Sequence, residues 1–137
     1  MGAKVGKNCS VNIDGNKVSL MGTWSMPGVS TELLEDTEFG DDWKTFKLGL
    51  KDGGNITFNG LYDPVDANGQ TALRTANEND TEVTDFRLYI DANSYWIPTT
   101  TNPASYVLIT DWEVSADKNG LMTASFTAKV NGKMELL

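Results

Sequence analysis

The last third of the chain, "SYVLITDWEVSADKNGLMTASFTAKVNGKMEL", constrains the fold more than any other stretch. Met122, Ala124, Phe126, Ala128 and Val130 recur every second residue, so they share one face of an extended strand. Asn119-Gly120 supplies the tight turn that joins this strand to the one before it. A long antiparallel hairpin with one buried face is therefore predicted. It needs a second apolar layer, and the rest of the chain offers one.

"CSVNIDGNKVSLMGTW" sets Asp14-Gly15-Asn16 between two β-prone runs. "TFKLGLKDGGNITFNGLY" alternates Phe46, Leu48 and Leu50, turns at Asp52-Gly53-Gly54, then alternates Ile56, Phe58, Gly60 and Tyr62, which predicts one buried and one wet face on each side of the turn. "TDFRLYID" alternates Phe86, Leu88 and Ile90 and leads past Asn93 into "SYWIPTT"; Pro98, Asn102 and Pro103 mark a loop. "DPVDANGQTALRTANEND" breaks the period of two. Asp63 is a candidate cap, Pro64 suits a first helical position, and Ala72, Leu73 and Ala76 share a helical face. One short amphipathic helix is expected from Pro64 or Ala67 to Asn77, with Gly69 arguing for the later start. The expected fold is mainly β, a sandwich or barrel of about seven or eight strands with one flanking α-helix.

A chain of 137 residues fits one domain and buries roughly two thirds of its unfolded surface. Its net charge of −8 excludes a nucleic-acid grip, which requires clustered Lys and Arg. There is no His and only Cys9, so the usual zinc, haem and copper ligand sets and the nucleophilic triads lack their parts. No cofactor is expected. Asp117 and Asn119 in "SADKNG" offer too few oxygens for calcium. Asp41 beside Asp42, or Glu35 beside Asp36, would supply an acid and base for glycoside hydrolysis only if held rigidly, and neighbours in a loop are not. No apolar run approaches a membrane span, and "MGAKVGKNCS" lacks the hydrophobic segment of a signal peptide, so the chain is expected in a cytoplasm.

Residues 29–43 pose the main puzzle. Glu32, Glu35, Asp36, Glu38, Asp41 and Asp42 surround Leu33, Leu34 and Phe39 and run up to Trp43. Such a segment repels itself and lacks the apolar area to order alone, so a mobile loop is expected whose hydrophobes serve another surface. The competing expectation is a hairpin that packs Leu33 and Leu34 into its own core. Residues 1–8, with Lys4 and Lys7, are read either as an arm that drapes onto another subunit or as a frayed end. Lys44, Lys47 and Lys51 blunt a sheet edge or pair with the acidic loop.

Taken in order, the acidic loop ending at Trp43, the "GGNITFNGLYDP" strand, the helix around "GQTAL", "TDFRLYID" and the terminal "GLMTASFTAKVNGK" resemble the major tail tube proteins of long-tailed bacteriophages, the family of the lambda tail tube subunit. The resemblance runs from about Val11 to the C-terminus. It implies a tail-tube fold in a single domain, residues 9–137, after the arm of residues 1–8. It also implies stacked hexameric rings that assemble around a tape-measure protein between a tail-tip initiator and a tail terminator. Double-stranded DNA would pass through the lumen without specific binding, and no membrane is involved. The expected location is the virion tail, with assembly in the host cytoplasm. The subunit-interface residues it implies are Glu32, Leu33, Leu34, Glu35, Asp36, Phe39 and Trp43 in the loop, and Lys4, Lys7, Lys44, Lys47 and Lys51 in the arm and following strand. Six copies at −8 each sum to about −48, and any lumen-facing share repels phosphate. The alternative is a carbohydrate-binding β-sandwich in which Trp24, Trp43, Trp96 and Trp112 form a stacking platform.

Overall fold

The structure is a computed structural model that describes residues 3–101 and 103–137. Met1, Gly2 and Asn102, which the arm and loop expectations include, lie outside the described residues. Twelve strands occur among the described residues, more than the seven or eight expected, because several are only two or three residues long.

One five-stranded antiparallel sheet has the order β12 (Met134–Leu136), β9 (Tyr95–Pro98), β8 (Phe86–Tyr89), β1 (Ser10–Ile13), β2 (Asn16–Lys17). Asp14 and Gly15 both take positive φ, 50° and 84°, which is the turn that matches strand twist in the predicted first hairpin. The second sheet has the order β3 (Met21–Ser25), β6 (Asn55–Leu61), β11 (Thr123–Asn131), β10 (Tyr106–Ser115), β7 (Glu82–Val83). The predicted terminal hairpin is β10 and β11, in register from Tyr106↔Asn131 to Ser115↔Thr123 with a bulge between Ile109 and Asp111. A third, two-stranded sheet pairs β4 (Ser30–Glu35) with β5 (Phe46–Asp52).

The two large sheets face each other over a core in which Val11, Ile13, Ile56, Phe58, Phe86, Leu88, Val107, Ala124, Phe126, Ala128 and Val130 are buried. Phe58 is central: its ring lies 5.6 Å from that of Phe86 in the opposite sheet and 5.4 Å from that of Phe126 on the neighbouring strand. At Gly60 the chain of the edge strand passes so close that a Cβ would lie 2.1 Å from the Leu20 carbonyl oxygen, so no side chain fits there.

Helix α1 (Gln70–Glu78) begins at the later position anticipated from Gly69, and Asp63 and Pro64 do not start it. Asp63 instead accepts from the Val65 N–H at 3.1 Å, a local turn. Asp66 fixes the helix entry, its Oδ2 accepting from the backbone N–H of Gln70 at 3.0 Å and of Ser19 at 2.8 Å. Leu73 and Ala76 enter the core, and Asn77 Nδ2 donates to the Ile109 carbonyl at 2.8 Å, so the helix closes the sandwich beside β10.

Gln70 is buried, and its side chain serves three backbone groups. Nε2 donates to the carbonyls of Ser19 at 2.9 Å and Leu61 at 2.8 Å, while Oε1 accepts from the Asp63 N–H at 3.0 Å. Removing it leaves these part-buried groups without their partner. Gln70→Ala is expected to lower stability by about 1–3 kcal/mol in denaturant unfolding, although no apolar contact dominates the site.

Candidate assembly surface

Residues 29–43 are irregular only in part. Residues 30–35 form a strand, and with β5 they make a ribbon whose strands pair with neither large sheet. The competing expectation also fails in its key point, since Leu33 and Leu34 are 62% and 48% exposed and pack into no core. Nor do Phe46, Leu48 and Leu50 form the buried face that their alternation predicted, and all three are exposed. Alternation shows that side chains share a face. It cannot show that anything covers that face.

Leu33 lies directly opposite Leu48, and Glu35 opposite Phe46, so Leu33, Leu48 and Phe46 share one side of the ribbon. On the other side Leu34 lies opposite Lys47, and Leu34 and Glu32 cover Gly49, where a Cβ would come within 3.1 Å of both. Phe39 and Trp43 at the tip are almost fully exposed.

The tip holds its shape through polar contacts. The Asp36 N–H donates to the Thr45 carbonyl at 2.9 Å, the Thr45 N–H to Thr37 Oγ1 at 3.0 Å, and the Glu38 N–H to Asp41 Oδ2 at 2.8 Å. Lys47 pairs with Asp36 of its own chain at 3.8 Å, and Lys51 donates to Thr31 Oγ1 at 3.3 Å, so neither depends on a neighbour for a polar contact. The Lys47 pair is largely exposed and worth at most about 1 kcal/mol. Lys44 is exposed near the tip. At the base, Lys129 of β11 and the Gly54 N–H both donate to Asp52, in that order of influence, and hold its carboxyl below the ordinary carboxylate range. A carboxyl depressed by folding keeps such a clip at neutral pH and releases it only as acid takes the pH through that lowered value.

The described part of the arm makes contacts within its own chain. Lys4 pairs with Asp91 at 3.2 Å, Gly6–Asn8 form a 3-10 turn that includes Lys7, and Cys9 Sγ donates to the Ile90 carbonyl at 3.4 Å. Asp91 is also held below the ordinary range, first by the Asn93 N–H and then by Lys4.

The four tryptophans do not converge. Trp24 and Trp96 pack against the core from opposite sheets, Trp112 lies under the Arg74 guanidinium at 5.9 Å, and Trp43 stands on the ribbon. Among the described residues no group of three or more carboxylates or thiols is placed to hold a metal ion. No helix among them is long and apolar enough to cross a membrane.

Because Phe39 touches almost nothing of its own chain and Leu34 is half exposed over Gly49 of the ribbon, outside the sandwich core, changing both to Ser is expected to shift unfolding stability by no more than about 0.5 kcal/mol. Sedimentation of the same double variant is expected to show lost self-association. A cooperative loss of stability instead would mean that the ribbon packs as a core element.

No family model matches the sequence, and no curated protein matches it either. Solved structures do match in shape. A chain from the tail of an empty gene transfer agent particle, of C6 symmetry, superposes with a TM-score of 0.74 at 15% identity, covering 98% of this chain and 99% of that one. A chain from the sheath/tube terminator of an extracellular contractile injection system gives 0.71 at 14% identity, covering 100% and 98%. The SPP1 tail tube gives 0.60 at 16% identity, covering 98% and 78%. Sandwich, flanking helix and projecting ribbon together give this chain the tail-tube fold.

Proposed function

We propose that this chain is a structural subunit that polymerises as stacked hexameric rings into the tube of a phage tail or a related tail-like particle, with no catalytic role. The observation that carries the reading is the sheet β3-β6-β11-β10. These four strands are antiparallel in sequence, and both flanks are open: β3 pairs only with β6, while β7 covers only Val107 and Leu108 of β10 and leaves residues 111–115 with an unused edge. Rotation about a tube axis preserves the axial direction of every strand. With an even number of alternating strands per subunit, β3 of one copy therefore meets β10 of the next antiparallel. A ring closes with no unpaired edge. Neither flank of the other sheet offers as much, since it ends on β2 and β12, of two and three residues.

Six such sheets make a barrel of roughly two dozen strands. At about 4.8 Å per strand the circumference is about 115 Å, so the backbone diameter is about 37 Å before strand tilt widens it. That leaves room for a double helix once side chains are placed. The face of the sheet turned away from the core lines this bore: Thr23, Asn55, Thr57, Asn59, Ser125 and Thr127 alternate with the buried residues, joined by Asp111 and Glu113. Hydroxyls and amides with a few carboxylates give phosphate nothing to grip. Lys129, the cation on this face, is already paired with Asp52. The densest run of carboxylates, residues 32–42, lies on the ribbon and not on this face.

The remaining elements follow from this reading. Residues 9–137 are the tube domain, and residues 1–8 are an arm whose Lys4 and Lys7 belong to the subunit interface. The ribbon, through Leu33, Leu34, Phe39, Trp43, Phe46 and Leu48, is the contact between subunits. A tape-measure protein, a tip initiator and a terminator are the assembly partners, double-stranded DNA is the passenger, and the virion tail, built in the host cytoplasm, is the location. The likeness to chains from a six-fold tail and from a tube terminator supports the reading. The carbohydrate-binding alternative loses its support with the dispersal of the tryptophans.

Purified protein, concentrated and imaged by electron microscopy with light scattering in parallel, is expected to form hollow six-fold tubes. Seeding with tube fragments or tail tips bypasses an initiator requirement. A chain that stays monomeric even when seeded overturns the proposal.

A further inference from the structure

Between the arm, β1 and β3 lies a cavity of about 260 Å³ lined by Gly6, Cys9, Val11, Met21 and Trp24. Its lining is largely apolar. Trp24, one of its walls, carries a buried indole N–H with no hydrogen-bond partner among the described residues. For scale, a cavity of about 150 Å³ suffices for a benzene ring.

Phe39 is 110% exposed at the ribbon tip and touches almost nothing of its own chain. It stands between Glu38 and Asp41, with Asp42 next in sequence, while the arm beside the cavity carries Lys4 and Lys7. The ribbon strands, six and seven residues at about 3.3 Å each, carry the tip some 20 Å from its base.

We propose that in the assembled tube Phe39 of one subunit seats in the Cys9–Trp24 cavity of an adjoining subunit, with the tip carboxylates against the lysines of that subunit's arm. This rests on the tube reading and names the lock within it. The ring fills the cavity, the carboxylates meet the lysines of the arm, and the arm's own tie to Asp91 holds one wall in place.

Cys9 is the sole cysteine of the chain and lines the cavity, which makes the contact directly testable. A minor fraction of Phe39→Cys subunits is assembled into tubes with excess unchanged protein, so that assembly does not depend on the variant, and treated with diamide. The expected result is an intermolecular disulfide that joins Cys9 of one subunit to the thiol introduced at position 39 of another. Peptide mass spectrometry identifies it, and it is absent from unassembled protein and from the same mixture made with Cys9→Ser subunits. In unchanged tubes, alkylation of Cys9 by N-ethylmaleimide is expected to slow about tenfold relative to the monomer. Tubes that form without this disulfide, or with Cys9 as reactive as in the monomer, overturn the contact while leaving the tube intact. Failure to form tubes at all overturns the underlying assignment and the contact with it.

Discussion

The contact of Phe58 with Phe86 across the sandwich holds two unequal sheets together, and the rest of the molecule is arranged around it. One sheet consists of strands of two to four residues, too short to be stable alone, while the other carries the long β10–β11 pair. The aromatic cluster of Phe58, Phe86 and Phe126 joins the weak layer to the strong one. With the core closed from within, and with α1 sealing the side next to β10, the outer face of the long sheet needs no apolar residue of its own. That freedom lets it carry hydroxyls and amides.

The ribbon shows the opposite balance. A two-stranded hairpin without a covering layer is marginal in water, and this one carries six carboxylates between residues 31 and 43. Backbone pairing, a hydrogen-bonded tip and the Asp52–Lys129 clip shape it, but none of them buries Leu33, Leu48 or Phe46. The unused apolar area is a reservoir of binding energy, offset in part by the entropy of ordering the segment. A small net gain per contact suits a polymer whose growth depends on many repeated contacts and whose free subunit must stay apart. The carboxylates act in the same direction, since two such acidic tips repel one another.

Charge also separates the two faces of the proposed tube. The net −8 suggested an acidic lumen, yet the bore-facing strands carry mainly neutral polar groups and the acidic residues concentrate on the projecting element. Passage of a polyanion is then governed by the lack of cations more than by strong repulsion.

The sequence by itself determined the elements whose signal is local. Alternation with Asn119-Gly120 sufficed for the terminal hairpin, Asp14-Gly15 for the first turn, and the change of period around Ala72, Leu73 and Ala76 for the helix, because these depend on turn chemistry and on side chains a few residues apart. Only the tertiary structure decided which alternating faces are covered. Phe46, Leu48 and Leu50 carry the same pattern as Ile56 and Phe58, but the first set faces solvent and the second the core, since burial depends on what packs opposite and not on the strand's own period. The same limit hid β12 and its pairing with β9, the tie of Lys4 to Asp91, and the cavity beside Trp24. Each joins residues far apart in the chain, and their meeting is fixed by how the sheets are ordered.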